Sequence, residues 1–292
     1  MPYIITGSTS TLASVTSATD LNRLLVTALK IQEVTYAIEN ESFDITELSG
    51  SGAGVERMMG LQSGTMSFSG HYPKTAPRTG NSGLVSWGSS LGYAQYVQDW
   101  KLDIDFGEIE ITAFNATAPT AKRYMPSGVY EWTGSYTAHA VNDNTTATYR
   151  LPSALHASAA TMTLKVTEDG ASDPAFSGSA FVTQISNPIR KPEKQAIAYT
   201  FNGTGSLTET VGATLPPLIR ATTGTIGAPD WDTNADGVPD VQVVFNTFVG
   251  GTTHAYTSAA YLKSLSIEVS PGQPIKVSGQ LRLNDAITFT VT

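Results

Sequence analysis

An internal repeat constrains the fold of this chain more than any other feature of its sequence. When the sequence is shifted by 66 positions, residues 28–59 align with residues 94–125 without a gap, and seven of the 32 positions are identical. A two-residue deletion then places residues 68–72 on residues 132–136. The chain therefore contains a duplicated unit, whereas a solenoid or propeller would need more copies at regular spacing.

Each copy alternates apolar and polar residues, which is the pattern of a β-strand with one buried face. In the second copy, residues 100–106 alternate strictly, Gly107 interrupts the pattern, and residues 108–112 alternate again. We interpret 97–112 as a hairpin that turns at Gly107, and 31–46 as its counterpart in the first copy. The apolar residues expected inside are Trp100, Leu102, Ile104, Ile109 and Ile111, and in the first copy Val34, Tyr36, Ile38, Phe43 and Ile45.

Composition supports a mainly β fold and excludes several alternatives. The chain has 39 Thr, 28 Ser, 26 Gly and 15 Pro, and only 14% of its residues are charged, against about 25% in soluble domains. Such a chain lacks the Glu, Lys and Leu of a helical bundle, while 40% hydrophobic residues can fill a core. The absence of Cys excludes disulfides, thiolate metal sites and Cys nucleophiles.

Further strands follow the repeated segments. Residues 265–269 and 275–279 predict a hairpin with a type II turn at Pro271 and Gly272, residues 196–201 and 205–208 predict another pair, and residues 153–157 predict a short helix. Within 91–212 the sequence predicts a full set of strands for one domain, at 97–112, 129–141, 161–167, 176–186 and 196–208, and strands at 241–249 and 261–283 remain to complete the first domain. We therefore expect a discontinuous first domain, 1–90 plus 213–292, with 91–212 inserted as the second; the alternative is a tandem split near residue 150.

Acidic residues recur on the polar faces of both copies, and the chain carries a net charge of −8. These residues are Glu39, Glu41 and Asp44 in the first copy, and Asp103, Asp105, Glu108 and Glu110 in the second. Paired carboxylates also occur in glycosidases, but period-2 spacing on an exposed strand explains them without catalysis. The four His residues are dispersed and no catalytic motif is present, so we do not expect an enzyme.

One loop has the pattern of a calcium site. Residues 232–240 place carboxylate or amide oxygens at positions 1, 3, 5 and 9, with Gly at position 6, and calcium prefers six to eight such oxygens. The candidate ligands are Asp232, Asn234, Asp236 and Asp240. The loop resembles those of dockerin and thrombospondin-type repeats, although Val243 replaces the bidentate Glu of an EF-hand. A polar turn without metal is the alternative interpretation.

Several segments, taken in order, resemble the tail tube proteins of long-tailed (siphovirus-type) bacteriophages. In the second copy these are residues 100–112, 123–128 and 130–136, and in the first copy residues 43–46, 59–64 and 68–70. Residues 176–181 and 277–279 resemble the closing strands. The order of these segments carries the resemblance, which covers about two thirds of the chain.

The resemblance implies a duplicated β-sandwich or barrel domain with long hairpins and one short helix. It also implies a structural virion protein, made in the host bacterial cytoplasm, whose rings stack into the tail tube. With two domains per chain, three chains would form a pseudo-hexameric ring. Its partners would be other copies of itself, other tail proteins at the tube ends, and phage DNA passing through an acidic lumen without being held. We expect at least one of the two acidic sets, Glu39, Glu41 and Asp44 or Asp103, Asp105, Glu108 and Glu110, to face that lumen. No cofactor and no membrane are expected.

A different class of protein remains as the alternative. A secreted or surface β-sandwich binding module with a calcium loop would also account for residues 232–240 and for the Thr/Ser-rich strands. The N-terminus shows no basic region followed by an apolar stretch, and this weighs against a signal peptide and against that alternative.

Overall fold

The structure is a computed structural model, and it consists almost entirely of β-strands. The predicted mainly β fold is therefore confirmed. The structure describes residues 10–16, 21, 23–44, 57–73, 80, 83–88, 93–94, 97–112, 121–139, 159–166, 174–187, 196–212, 218–220, 223–226, 242–249 and 252–291. The helix predicted at 153–157 lies outside the described residues.

Fourteen strands and one π-helical turn at Arg23–Ala28 make up this part of the chain. The strands are β1 (Ser10–Thr16), β2 (Lys30–Asp44), β3 (Arg57–Tyr72), β4 (Leu84–Trp87), β5 (Tyr93–Ala94), β6 (Val97–Glu110), β7 (Tyr124–His139), β8 (Ala160–Lys165), β9 (Ala175–Ser186), β10 (Ala196–Thr210), β11 (Gly224–Thr225), β12 (Gln242–Val249), β13 (Thr252–Val269) and β14 (Ile275–Val291).

All fourteen strands belong to one antiparallel sheet that branches at β13. The main path runs β2-β3-β14-β13-β6-β7-β10-β9-β8-β4-β5, and β11 pairs with β10. The long strand β13 pairs with β12 over residues 252–259 and with β6 over residues 264–269. Since β14 occupies the other side of β13, β12 and β6 share one edge, and β1 continues the branch beyond β12.

Two series of six strands within this sheet follow the same order. The first series is β2-β3-β14-β13-β12-β1 and the second is β6-β7-β10-β9-β8-β4. When the strands of each series are numbered along the chain, both read second, third, sixth, fifth, fourth, first. The similarity between β2 and β6 in the sequence thus extends to the connection pattern of all six strands.

Irregularities in pairing also fall at equivalent positions of β2 and β6, the strands that begin the two series as written above. Gln32 on β2 and Gln98 on β6 are each skipped by the pairing with the following strand. Glu41 and Gly107 are also skipped, together with residues 60–61 and 127–129 of the partner strands, and the sequence repeat aligns Gln32 with Gln98 and Glu41 with Gly107. Because a bulge bends a strand and increases its twist, the two series share local curvature as well as order.

A second repeat relates β9 of the second series to β13 of the first. Thr183 on β9 and Lys263 on β13 are both skipped in their pairing with the next strand. Residues 175–186 read AFSGSAFVTQIS and residues 255–266 read AYTSAAYLKSLS, so most apolar and small residues match in type. This similarity is readable in the sequence, but the alignment of residues 28–59 with 94–125 does not reveal it, because the second series lies between the two halves of the first.

The hairpins predicted at 31–46 and 97–112 are wrong. The described part of each segment forms one strand, β2 up to Asp44 or β6 up to Glu110, that pairs with the strand after it. Gly107 is a bulge residue that shifts the apolar–polar alternation by one position, and this shift resembles a turn in the sequence. Phe43 and Ile109, which follow the irregularities at Glu41 and Gly107 and were expected inside, are 49% and 48% exposed. Ile38, also expected inside, is 40% exposed.

Two smaller predictions are also corrected. Residues 196–208 form part of the single strand β10 rather than a strand pair, and Gly205 bulges from it with φ 71°. The two-residue deletion that aligned residues 68–72 with residues 132–136 is wrong as well. Val34 pairs with Phe68, and Trp100, the equivalent of Val34 in the second copy, pairs with Tyr136, so the second hairpin is two residues longer than the first.

The turn between β13 and β14 is as the sequence predicts. Gly272 has φ 73°, a value that the third position of a type II turn requires and that glycine adopts without strain. The Gln273 N–H donates to the Ser270 carbonyl across the turn at 3.3 Å.

The sheet curls so that strands far apart in its order pack face to face over one core. Trp87 on β4 donates its indole N–H to the Tyr136 hydroxyl on β7 at 2.9 Å, although three strands separate β4 from β7. Trp100 on β6 donates to the Lys165 carbonyl on β8 at 3.1 Å. In the first series, the rings of Tyr36 on β2 and Tyr256 on β13 lie 5.5 Å apart. In both series, residues of strands that are not neighbours in the sheet therefore meet across the core.

A buried carboxylate fixes the chain after β10. Glu209 is fully buried, and its two oxygens accept the backbone N–H groups of Leu218, Ile219 and Arg220 at 2.7–3.3 Å. Hydrogen bonds from several N–H groups compensate a carboxylate for the loss of water. Glu209 therefore has a structural role that the sequence pattern does not indicate.

Candidate functional site

The outer surface of the central strands is a continuous polar face. Three rows of side chains cross it, each following the pairing register from strand to strand. The first row is Lys30, His71, Lys276, Glu268, Lys101, Ser135, Thr200 and Gln184; the second is Glu33, Ser69, Ser278, Ser266, Asp103, Thr133 and Asn202; the third is Thr35, Ser67, Gln280, Ser264, Asp105 and Glu131. We call these three rows the polar face.

Acidic residues are the only charged residues in two of the three rows of the polar face. The second and third rows contain Glu33, Asp103, Asp105 and Glu131 and no Lys or Arg. Asp105 and Glu131 lie directly opposite each other on β6 and β7, and they line one shallow concavity together with Asp103. Like charges placed opposite each other oppose folding, so this arrangement is not explained by stability.

Three of the predicted acids belong to this region. Asp103 and Asp105 lie on the polar face itself, and Asp103 also contacts the Lys101 ammonium at 3.0 Å. Glu39 continues the face along β2, because it alternates in phase with Glu33 and Thr35 and is exposed. Glu131 is an acid that the sequence analysis missed, although its position in the alternating segment 130–136 would have placed it on this surface.

Glu108 is neutralised by basic neighbours. The Lys263 ammonium and the Arg282 guanidinium both bind its carboxylate, with the Lys263 Nζ to Oε1 distance at 3.2 Å and the Arg282 Nε to Oε2 distance at 2.9 Å. The Tyr261 hydroxyl donates to the same carboxylate at 3.2 Å. Partial burial opposes ionisation, but hydrogen bonds and positive charge from Arg282 and Lys263 outweigh it and lower the pKa of Glu108. Its negative charge is therefore balanced within the fold.

The remaining three acids lie toward the ends of the hairpins. Lys122 binds the carboxylate of Glu41 and approaches that of Glu110 at 3.8 Å, so it links the first series to the second. Asp44 is directly opposite Arg57 in the pairing of β2 with β3. Of the seven predicted acids, three thus lie on or beside the polar face, where Asp103 also contacts Lys101, and the other four lie next to cations away from it.

The junction between the two series is the second feature of interest. Six residues of β13, Ser264 to Val269, pair with β6, and this pairing makes one sheet of two like units. Leu265 and Ile267 on β13 and Leu102 and Ile104 on β6 are each no more than 1% exposed. Edge-to-edge joining of like units is thus already present within a single chain.

The calcium-loop prediction falls outside the described residues. Asp232, Asn234, Asp236 and Asp240 all lie in the segment 227–241, whose structure is not described. Within the described residues, no group of three or more His, Asp or Glu side chains is placed to hold a metal ion. No helix in the described part of the chain is both long and apolar enough to cross a membrane.

Comparison with known proteins adds no assignment. No protein-family model matches the sequence, and no curated protein matches it.

Proposed function

We propose that this chain is a structural protein that assembles into stacked rings and forms the tail tube of a long-tailed bacteriophage. The observation that carries the proposal is the junction of β13 with β6, because it joins two like six-strand series edge to edge. A ring of β units needs such a contact at every boundary, and open strand edges must be paired or protected. The resemblance of the repeated segments to tail tube proteins supports the same assignment.

The proposed domains follow the predicted division with one adjusted boundary. The order of pairing favours a discontinuous first domain, as predicted from 1–90 plus 213–292, around an inserted second domain. Since β4 pairs with β8 of the second series, pairing favours a first boundary before Leu84 rather than at residue 90. Three chains of two domains each would then supply six units to a ring.

The acidic polar face supports a role as the wall of the DNA channel. Contacts between phosphates and Lys or Arg would hold DNA, whereas Asp103, Asp105 and Glu131 would repel it. The cations of the neighbouring row, such as Lys101, are partly neutralised by adjacent acids. We propose that this face lines the lumen, with Glu39 extending it.

Electron microscopy and native mass spectrometry of the purified protein test this function. We expect rings or striated tubes of constant bore, with three chains in each ring. Monodisperse monomers at every protein and salt concentration would overturn the proposal. Rings of six chains would keep the tube but overturn the three-chain stoichiometry.

A further inference from the structure

Every strand of one series has an equivalent in the other, so a contact made by one series predicts the equivalent contact for the other. The two sequence alignments, together with the shared positions of the bulges, map β6 onto β2 and β13 onto β9. Applied to the internal junction, this mapping converts Leu265 opposite Ile104 into Ile185 opposite Ile38. The equivalent contact cannot form within one chain in the same way, because β2 and β9 lie in different parts of the sheet.

Both equivalent edges are open in the described structure. Among the described strands, β2 pairs only with β3. On β9, pairing with β8 ends at Ala180, and no described strand continues along that edge past this residue. The same step occurs in β13, where pairing with β12 ends and pairing with β6 begins. Residues 184–186, at the end of β9, therefore present the edge that residues 264–266 of β13 use for β6.

Apolar side chains at the open edges are exposed where their equivalents are covered. Ile38 is 40% exposed, whereas its equivalent Ile104 is 1% exposed at the internal junction. Ile185 is half-buried, whereas its equivalent Leu265 is 1% exposed. A sheet edge with apolar inward-facing residues is a template for another strand. Pairing with such a strand would remove both side chains from water.

We infer that β9 of one copy pairs antiparallel with β2 of a second copy, with Ile185 opposite Ile38. The same register places Ser186 opposite Ala37 and Gln184 opposite Glu39. The occupant of each open edge is thus another copy of this chain, because the internal junction already shows two such units joined. The inference deepens the proposed ring assembly and rests on it, since it names the two surfaces that meet and their register.

This contact is heterologous, since one copy contributes β9 and the other contributes β2. A heterologous contact continues from copy to copy and closes into a ring when the rotation allows it. It differs from a symmetric pairing of β2 with β2, which would stop at a dimer. Intrachain and interchain junctions would alternate around the assembly.

Engineered disulfides test the register, because the natural chain has no Cys. Directly opposite residues in an antiparallel pair have Cα atoms about 4.5–5.5 Å apart, which a disulfide can bridge. We expect Ala37→Cys with Ser186→Cys to form cross-linked multimers on oxidation, visible as a ladder on a non-reducing gel. Mixing the two single variants should give dimers only, since each chain then carries one thiol.

Two controls calibrate this experiment. Asp103→Cys with Ser266→Cys reproduces the internal junction, where these residues are directly opposite, and should cross-link within one chain. Ala37→Cys with Gln184→Cys is two residues out of register and should cross-link poorly, because diagonal neighbours are about 7–8 Å apart. Ala37 and Ser186 are both exposed, so substitution there does not disturb the core.

The outcomes separate this inference from the proposed function. Cross-linked rings support the pairing, and rings that never stack into tubes would leave it standing while overturning the tail tube role. Rings or tubes without the 37–186 cross-link would overturn the pairing and leave the tail tube role intact. Dimers formed by Ala37→Cys alone would overturn the pairing in favour of a symmetric contact.

Discussion

The Trp132 indole on β7 fills the space where a side chain on Gly203 of β10 would begin. Gly178 on β9 makes room for the same ring, since a Cβ there would lie 2.6 Å from it. The first series reverses the sizes: the equivalents of Trp132 and Gly203 are Gly64 and Leu283, which pair directly. Each series thus fills this place once, with a large residue from one strand and a small residue from the other.

Gly203→Ala should therefore destabilise the protein by displacing a buried Trp side chain. Overpacking a core costs about 1–3 kcal/mol. The free energy of unfolding measured in urea should fall by that amount. Thr204→Ala, at the next and exposed position, is the matched control and should change the free energy by less than about 0.5 kcal/mol. Equal stability of Gly203→Ala and the natural protein would contradict the packing described for Trp132.

Glu108→Gln should lower stability because it leaves the charges of Arg282 and Lys263 without their partner. Hydrogen bonds to charged groups contribute about 1.5–3 kcal/mol each at most, and the cluster is partly open to solvent, so we expect a loss of about 1–3 kcal/mol. Denaturation in urea measures the loss. Glu268→Gln removes an exposed partner of Lys276, 4.0 Å away, and serves as the control with a smaller loss.

The pH dependence of stability should also change in the Glu108 variant. The folded-state pKa of Glu108 is lowered, so its contribution is complete above its unfolded pKa, near 4.3, and is lost as the pH falls through the folded value. The natural protein should therefore lose stability below about pH 4.5 more steeply than Glu108→Gln. Parallel curves of unfolding free energy against pH would contradict this assignment.

Glu209→Gln should be more damaging than most single substitutions in this chain. Backbone N–H groups of residues 218–220 now donate to both carboxylate oxygens. The amide would replace one of these oxygens by an NH₂ group, which cannot accept a hydrogen bond from them. Leaving buried donors unsatisfied costs about 1–3 kcal/mol. Thermal unfolding monitored by circular dichroism would measure the loss, and Glu131→Gln, on the exposed polar face, is the control. An unchanged melting temperature would show that the carboxylate is not needed there.

If the polar face lines the DNA channel as proposed, reversing its charge should make that face bind DNA. We expect assemblies with Asp103→Lys and Asp105→Lys to retain short duplex DNA at low salt and to release it as salt rises. Asp44→Lys with Glu110→Lys adds the same charge near the hairpin ends and should retain less. Fluorescence anisotropy of labelled duplex measures retention, and equal binding by both variants would argue against a lumenal polar face.

The candidate calcium loop is tested by titration. We expect calorimetry to detect calcium binding to the natural protein and to detect none for Asp236→Ala, because the loop supplies its oxygens from alternate side chains. Asp173→Ala, in another polar segment of the sequence, is the control. Heat changes that are identical in all three proteins would leave residues 232–240 as a polar turn.

Much of the strand content could be predicted from the sequence, because alternation is a local property. The segments expected near 161–167, 176–186 and 241–249 correspond closely to β8, β9 and β12. The pairing could not be predicted in the same way. A bulge at Gly107 and a turn at Gly107 produce the same interruption in alternation, and only the position of the following strand distinguishes them.

The acidic face illustrates the same limit at the candidate site. Local alternation places Asp103 and Asp105 on a polar surface, but the sequence does not show that Glu131 lies opposite Asp105. It also does not show that Arg282 and Lys263, both far along the chain from Glu108, neutralise that carboxylate. Long-range register decides which acids keep their charge exposed and which are paired.

The junction between β13 and β6 would have a kinetic consequence for the proposed ring assembly. Two stretches of backbone, before β4 and after β11, connect the two units, so this junction forms at the high effective concentration of an intramolecular contact. In the proposed ring of three chains, half of the junctions between units would then have formed before any two chains meet. Assembly of the proposed ring from three chains would require two bimolecular encounters, whereas six separate units would require five, and partial rings would be correspondingly rarer at low protein concentration.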